Sequence, residues 1–571
     1  MDSWISEASS LGDLFHRNCG KYADKVVYRK PTKGGYVDLT YSQAHDEAFK
    51  YAKALLGLGL LKGDTVALVS ESCMEWALTD WAAQTLGLIL VPIYPTLPAD
   101  QAMYIAQDCG AKLIIAQDDK QAAKFSGLSV VLLKDGLLNH TSDISLEEWK
   151  MVSKGIDRKD VATVIYTSGT TGQPKGAMLT HAGFLDLSAT ITEVFRIGST
   201  DTFLSFLPMA HVFERYAGHI LPVAVGATVA YAGSLASLAN DMLQVKPTVM
   251  CAVPRFFENL RVRITDNMLK QSPFKQKLFH WALDQGTKKA RGQFAPFFVL
   301  ADALVGKKIR ERTGGHMRFF VSGGAALAPQ VSEFYIAFGL TILQGYGLTE
   351  NTAASCLNRP EDNRPWTVGP PIPGVEVKLA SDGEILTRGT ANMVGYLHLP
   401  DATAEAIDSE GWFHTGDIGV FEGENLKITD RKKDILVLAN GKNVAPQKIE
   451  AKLKESDFIN EAVVFGDGME HCVALVVPEF DRVKSWLAAQ GHPESDPHAI
   501  VQSEQAKGLI KGEIDKANKE LADFERVKKH GFIDTPFSVE TGELTPSLKV
   551  RRKFVREKYA EQVEALKRGA Q

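Results

Sequence analysis

Cysteine is sparse and scattered. Cys19, Cys73, Cys109, Cys251, Cys356 and Cys472 include no C-x-x-C pair. That pattern excludes a disulfide framework and a zinc knuckle, and it fits a reducing compartment. Excess charge is also missing: the formal net charge is -5, so no strong field draws the chain to nucleic acid. The opening residues, MDSWISEASS, lack the basic and apolar regions of a secretory signal. Internal repeats, low-complexity tracts and Ser/Pro-rich linkers are absent, so any domains must join through a short hinge. Long apolar runs are few. Tyr216–Asn240 holds no charged residue and is long enough to span a bilayer. It contains His219, Pro222, Gly226 and Gly233, however, so it predicts a buried helix followed by a core strand. Residues 81–99 are interrupted by Gln84, Pro92 and Pro95.

The 571 residues exceed one compact core, so at least two domains are expected. Apolar content of 45% and charged content of 23% are ordinary for a soluble globular chain. One local grammar recurs: apolar strand, Gly-rich loop, helix. Val161–Tyr166 leads to TSGTTGQPKG and a helix from Ala182. Met317–Val321 leads to Ser322-Gly-Gly-Ala-Ala and a helix with Pro329 in its first turn. Val249–Val253 leads to Pro254 and a helix containing Phe256, Phe257 and Leu260. The alternation predicts an α/β fold with largely parallel sheets and a ligand at the carboxyl ends of the strands. A β-rich stretch follows (Val375–Leu379, Glu384–Arg388, Gly411–Phe421, Asn425–Thr429). Near residue 433 the texture changes to that of a small α+β domain, giving expected domains of 1–432 and 433–571. In the second, Ile514, Ala517, Leu521 and Phe524 have the spacing of one helical face. The end is basic, with Lys549, Arg551, Arg552, Lys553, Arg556 and Lys558.

Thr167–Gly176 packs three Gly, four hydroxyls and Lys175 into ten residues. Glycines let backbone N–H groups approach an anion, hydroxyls donate to phosphate oxygens, and lysine offsets charge. A linker of similar composition would not directly follow a buried-looking strand. The order differs from the ordinary P-loop, since no hydroxyl follows Lys175. The string resembles the signature loop of the adenylate-forming superfamily, which includes acyl- and aryl-CoA synthetases, adenylation domains and beetle luciferases. Thr167, Ser168, Gly169, Thr170, Thr171, Gly172 and Lys175 then become nucleotide-binding candidates.

Further strings occur in the family's order. Gln344–Asn351 reads QGYGLTEN. Read alone, Thr349 and Glu350 serve equally well as a helix start or as an aromatic-flanked ligand loop. The string resembles the family's adenine motif, which implies nucleotide contacts from Gln344, Gly345, Tyr346, Gly347 and Thr349, and Mg2+ held by Glu350 with Thr167. Gly323, Gly324 and Ala325 resemble the stretch lying against adenine. Gly411–Gly419 reads GWFHTGDIG and places Asp417 at a turn. It resembles the ribose-binding segment, with Arg431 as its companion. Lys433 falls at the family's hinge and Gly441 where the pantetheine arm of CoA passes. Lys432 reads as a solvated charge. Val437 stands where fatty-acyl members often carry a second Lys. Lys549, in LTPSLKVRR, resembles the C-terminal catalytic lysine, whereas Arg556 and Lys558 read as solvated surface. In LPMAHVFER, His211 resembles the acyl-site histidine, and Arg215 replaces the Trp gate of some members.

The resemblance runs from about Thr40 to Lys553. It implies a large N-terminal domain of α/β and β-rich subdomains, a small mobile C-terminal domain, and a cytoplasmic long-chain fatty acid–CoA ligase using ATP, Mg2+ and CoA. Peripheral membrane contact without an anchor is compatible with a greasy substrate. The alternatives are a fatty-acyl-AMP ligase, a medium-chain or aryl acid–CoA ligase, an inactive lipid-binding scaffold of the same fold, and a kinase. No carrier-protein domain is expected after residue 571, which disfavours a self-contained peptide-synthetase module. Chain-length preference and oligomeric state are not written in these motifs.

Overall fold

A computed structural model describes residues 3–167, 173–545 and 549–568. The chain separates into two compact units. The first comprises Met1–Lys378, Leu386–Thr415 and Glu422–Leu426; the second comprises Leu379–Ile385, Gly416–Phe421 and Lys427–Gln571.

The first unit contains two large sheets. In the eight-stranded sheet, Ile342–Tyr346, Phe319–Ser322, Val249–Ala252, Thr202–Ser205, Thr228–Tyr231 and Val26–Thr32 run parallel. Antiparallel strands Cys356–Leu357 and Gly35–Thr40 close its edges. Alternate residues face different cores: Val249 and Phe319 join one, Met250 and Phe320 another. That is the period-2 pattern of a sheet covered on both faces. Helices Pro254–Leu269, Pro273–Ala290 and Pro329–Ala337 cover one face through Phe257, Phe279 and Phe334.

The seven-stranded sheet is ordered Gly395–Tyr396, Lys175–Thr180, Val161–Thr167, Ile89–Ile93, Thr65–Val69, Leu113–Ala116, Val130–Leu132. One core contains Leu90 and Ala177 from this sheet, Val229 from the other, and helices Met74–Leu86 and His181–Phe195. Every residue from Trp76 to Leu86 is buried, as expected for a helix packed on all sides.

The charge-free run is core over residues 216–231, and residues 233–236 beyond it are exposed. A π-helical turn, Arg215–Ile220, continues into Leu221–Ala224 and then the fully buried strand Thr228–Tyr231. No helix among the described residues is long and apolar enough to cross a membrane.

The second unit is built on three strands. Ile459–Phe465 and Cys472–Pro478 pair antiparallel, and Val527–Phe532 joins in parallel. Ala474 and Val476 face helices Pro446–Leu453, Phe480–Ala489 and Glu504–Asn518. Val473, Leu475 and Val477 face Phe537, Leu544 and helices Arg552–Lys558 and Ala560–Arg568. Helix Glu504–Asn518 stops before the expected face ends: Leu521 is buried beyond its terminus and Phe524 packs on the same core from the following turn.

This unit takes in more than residues 433–571. Lys432 pairs with Asp382 (2.6 Å) and Glu384 (2.9 Å), and the Gly416 N–H donates to Glu384 at 3.0 Å. Lys432 is therefore a tether of local β-structure and not only a solvated charge.

Candidate active site

The carboxyl ends of strands from both large sheets converge in the first unit. Thr167 is the last residue of Val161–Thr167. Its Oγ1 lies 3.5 Å from Glu350 Oε1, although the two are 183 residues apart. The Tyr396 hydroxyl donates to the same Glu350 oxygen at 3.0 Å, and Lys175 Nζ lies 5.0 Å from the Tyr396 ring centroid. Burial and the adjacent Glu350 carboxylate raise the Tyr396 pKa, so the phenol stays a donor. Sequence reasoning missed Tyr396. Its one signal is the preceding Gly395, whose φ of 153° and close approach to Thr403 both favour glycine.

The path from the loop to the helix differs from the expected grammar. Lys175 opens an unexpected strand, Lys175–Thr180, antiparallel to Val161–Thr167, before the helix, which starts at His181, one residue ahead of the expected Ala182. The phosphate-loop candidates Ser168, Gly169, Thr170, Thr171 and Gly172 lie outside the described residues. The frame around them is explicit: Thr167 faces Lys175 across the pair, and a Cβ at Gly176 would sit 2.6 Å from Val164 and 3.0 Å from the Tyr166 ring.

Thr349–Asn351 forms a 3-10 turn whose cap is Leu348 rather than Thr349; the Leu348 N–H donates to Asn351 Oδ1 at 2.6 Å. Thr352 and Ala353 follow with φ of 53° and 79°. Such non-glycine left-handed residues cost about 1–3 kcal/mol each and concentrate at functional loops. Thr352 is held by a bond to the Ala391 carbonyl at 2.6 Å. Gly347 is obligatory, because a Cβ there would meet the Ala353 carbonyl oxygen at 2.0 Å. At Gly345 the obstacle is the Leu357 side chain, at 2.6 Å. Tyr346 is buried at 7% exposure.

Gln344 braces the site. Its Oε1 accepts from the Leu327 N–H at 2.5 Å, and its Nε2 donates to the Thr367 carbonyl at 3.1 Å. The side chain thus pins the far end of the Gly323–Gly324–Ala325 loop. Gly324 has φ 85°, and Gly323 lies against the Phe213 ring, where a Cβ would come within 3.1 Å. His211 caps the short turn Val212–Glu214, its Nδ1 accepting from the Phe213 N–H at 3.1 Å.

Arg215, at the position of the Trp gate of some members, is a core residue. It is fully buried and paired with Asp80, with His219 3.4 Å from the same carboxylate. Beside it, burial pushes the Glu214 carboxyl up to about 8, partly offset by a 2.6 Å bond from Ser205. Burial lowers His219, opposed by Asp80.

In the second unit, Asp417 lies within the strand Phe413–Glu422, not at a turn. The turn signal belonged to Gly416, whose φ is 71°. Arg431 Nε donates to Asp417 Oδ1 at 3.0 Å; Asp417 is 6% exposed and Arg431 36%. One carboxylate and one accessible guanidinium thus form a prepared polar pair. Burial raises the neighbouring Asp430 to about 7. Lys433 is exposed after this pair. Gly441, with φ 77° and open space on the side where a Cβ would stand, turns the hairpin Leu436–Val437/Asn443–Val444. Lys549 is anchored by its backbone: its N–H donates to Thr545 Oγ1 at 3.0 Å, and its carbonyl accepts from the Thr545 N–H at 2.8 Å. Lys558 is not simple surface. It pairs with Glu543 at 2.5 Å, and Arg552 pairs with Glu450.

The described residues contain no group of three or more His, Cys, Asp or Glu suited to a metal. One carboxylate and one hydroxyl, Glu350 and Thr167, are hard oxygen donors. Such a sparse set fits Mg2+, which keeps waters and takes its other ligands from substrate phosphates.

Residues 15–397 match the AMP-binding enzyme family, and residues 433–571 match the AMP-binding enzyme C-terminal domain. The long-chain-fatty-acid–CoA ligase FadD15 of Mycobacterium bovis is 34% identical, with 95% of this chain and 94% of that protein covered. The peroxisomal long chain acyl-CoA synthetase 6 of Arabidopsis thaliana is 32% identical over 95% of this chain and 83% of its own length. ATP-bound MatB from Rhodopseudomonas palustris shares the fold, with a TM-score of 0.72 at 24% identity over 96% of this chain and 99% of that one. Matched by these two family models over most of its length, the chain belongs to the AMP-binding enzyme family.

Proposed function

We propose that this protein is an AMP-forming fatty acid–CoA ligase acting on long-chain acids. The observation that carries the reading is the Thr167 hydroxyl set against Glu350 at the mouth of the phosphate loop. Full-length similarity to long-chain ligases from a bacterium and a plant supports the substrate class.

In the first half-reaction a carboxylate oxygen attacks the α-phosphorus of ATP. The bond from that phosphorus to the bridging oxygen breaks, and pyrophosphate leaves. Two anions must meet, so catalysis is positioning and charge compensation. Mg2+ held by Glu350 and Thr167 would offset phosphate charge. Lys175 and the loop it closes hold the pyrophosphate end. The braced Gly323–Ala325 loop and the Tyr346–Thr349 segment take the adenine. Asp417 accepts from the ribose hydroxyls while Arg431 fixes its orientation. Lys549 supplies the cation bridging carboxylate and α-phosphate, a role worth about 10²–10³ in rate, roughly 3–4 kcal/mol. His211 borders the acyl carboxylate.

In the second half-reaction the thiol sulfur of CoA attacks the acyl carbon. The acyl–phosphate oxygen bond breaks, AMP leaves, and the thiol proton passes to solvent. Lys433 is the hinge for exchanging the two half-reactions, and Gly441 leaves room for the pantetheine arm. The protein works inside the cell, with access to membrane-borne acids.

The test is AMP release and CoA consumption over acids of increasing length, with acid-dependent ATP–pyrophosphate exchange. Long acids should be preferred in both. Production of ADP, or turnover of aryl acids only, would overturn the reading.

A further inference from the structure

Large exposed apolar side chains concentrate in one segment of the first unit. Phe274, Phe294 and Val299 are 76%, 86% and 79% exposed, and Phe297, Leu300 and Leu304 are exposed as well. They belong to one local assembly. Helix Pro273–Ala290 packs on Phe298–Ala301 and on the π-helical turn Asp302–Gly306. The Phe297 ring lies 6.5 Å from Trp281, and its N–H donates to Gln285 at 3.3 Å.

From Phe298 to Glu311 the chain is continuously helical. Its inner face buries Ala301 and Val305. Its outer face runs Val299, Leu300, Ala303, Leu304 and then Lys307 and Lys308, all exposed. This inverts the usual arrangement, in which the outward stripe of a surface helix is polar.

Charge separates the possible occupants. From Lys270 to Arg312 inclusive there are ten Lys or Arg against three Asp or Glu, on a chain of net charge -5. Asp284 and Asp302 are already paired with Lys288 and Arg310, and Arg291 pairs with Glu333. Lys270, Lys275, Lys277, Lys289, Lys307 and Lys308 remain exposed. A second copy of this chain carries a net charge of only -5, a weak counterpart to this basic, apolar face. An anionic bilayer offers both a hydrocarbon phase for the aromatic and aliphatic tips and phosphates for the lysines, whose stems can lie along the apolar stripe.

We propose that the surface formed by residues 273–308 docks the enzyme on anionic membrane, with Phe294, Val299, Leu300 and Leu304 entering the headgroup boundary and Lys307 and Lys308 lying among the phosphates. None of these residues belongs to the nucleotide site, so the proposal survives or fails independently of the reaction.

The test is sedimentation of the full-length protein with vesicles of phosphatidylcholine containing about one-third phosphatidylglycerol, against phosphatidylcholine alone. Wild type should bind the anionic vesicles and be released by salt. Phe294→Asp/Val299→Asp/Leu300→Asp should lose binding more than tenfold. Lys307→Glu/Lys308→Glu should weaken it about fivefold or more per cation. Turnover of a water-soluble shorter acid without vesicles should stay at wild-type level in both variants, which confirms their folding. Failure of wild type to bind, equal binding by the variants, or a dimer that the Asp variant alone dissociates while vesicle binding persists would overturn the proposal.

Discussion

Arg215 grips Asp80 through two parallel hydrogen bonds, Nε to Oδ2 at 2.8 Å and Nη2 to Oδ1 at 2.7 Å, with both side chains 1% exposed. Gln84 donates to Asp80 Oδ1 at 3.0 Å, and Arg215 also reaches the Thr163 hydroxyl. The contact joins the buried helix Met74–Leu86 to the π-helical turn Arg215–Ile220 and to the strand that ends at Thr167. Burial alone would raise the Asp80 pKa, but the Arg215 charge, with help from His219, holds it far below the carboxylate range.

Removing one partner strands the other charge. Asp80→Ala should cost about 3–5 kcal/mol of stability, the usual penalty for an orphaned buried ion. The double variant Asp80→Leu/Arg215→Met should recover most of that loss. The measurement is the urea midpoint of each protein. Equal loss in the single and double variants would mean that packing, and not charge, is at stake.

Glu214 makes stability depend on pH. Its folded pKa of about 8 lies above the ordinary 4.5, so the folded state holds the proton more tightly than the unfolded chain. Stability therefore falls as pH rises through that interval and levels off above it. Glu214→Gln keeps an acceptor for Ser205 and removes the titration. The variant should flatten this decline and gain on the order of 3 kcal/mol over wild type at pH 8. Parallel urea midpoints at pH 5 and pH 8 would decide it; an unchanged slope would assign the dependence elsewhere.

Much of the backbone frame around the candidate site was legible because special backbone needs leave a trace in composition. Gly347 and Gly324 mark a close approach and a positive φ, and hydroxyl-rich loops follow β-branched strands. What was hidden is non-local. Asp80 and Arg215 lie 135 residues apart, and neither announces its partner. Tyr396 reaches Glu350 from a two-residue strand with no motif of its own. The strand Lys175–Thr180 escaped notice because Ala, Met and Leu suit a helix as well, and only pairing with Val161–Thr167 settles the choice. Asp417 looked like a turn residue because its neighbour Gly416 takes a left-handed φ of 71° inside an otherwise continuous strand.

Glu350 and Tyr396 should separate into different classes. Glu350→Gln removes the carboxylate and should lower ATP–pyrophosphate exchange about 10²–10³-fold. Tyr396→Phe removes one donor to that carboxylate and leaves its charge. Its effect should be nearer tenfold and should show as a changed Mg2+ concentration for half-maximal rate, the signature of a positioning partner. If Tyr396→Phe were as severe as Glu350→Gln at saturating Mg2+, the phenol would be touching substrate directly.

Lys549 and Lys433 test whether the two half-reactions use different groups. In the proposed mechanism Lys549 compensates charge only while carboxylate and phosphate are being joined. Lys549→Ala should therefore lose about 10²–10³ in acyl-AMP formation yet retain thioester formation from supplied acyl-AMP. The thiol step needs no cation between two anions, because the acyl adenylate is already made. Lys433→Pro should show the opposite pattern. It removes backbone freedom at one exposed residue and leaves Asp417, Arg431 and Lys549 chemically intact, so adenylation should survive while thioester formation falls. Acyl-AMP trapped in the absence of CoA measures the first step, and CoA consumption from synthetic acyl-AMP measures the second. Should either variant depress both steps equally, the division of labour between the two lysines would be wrong, whatever the overall activity.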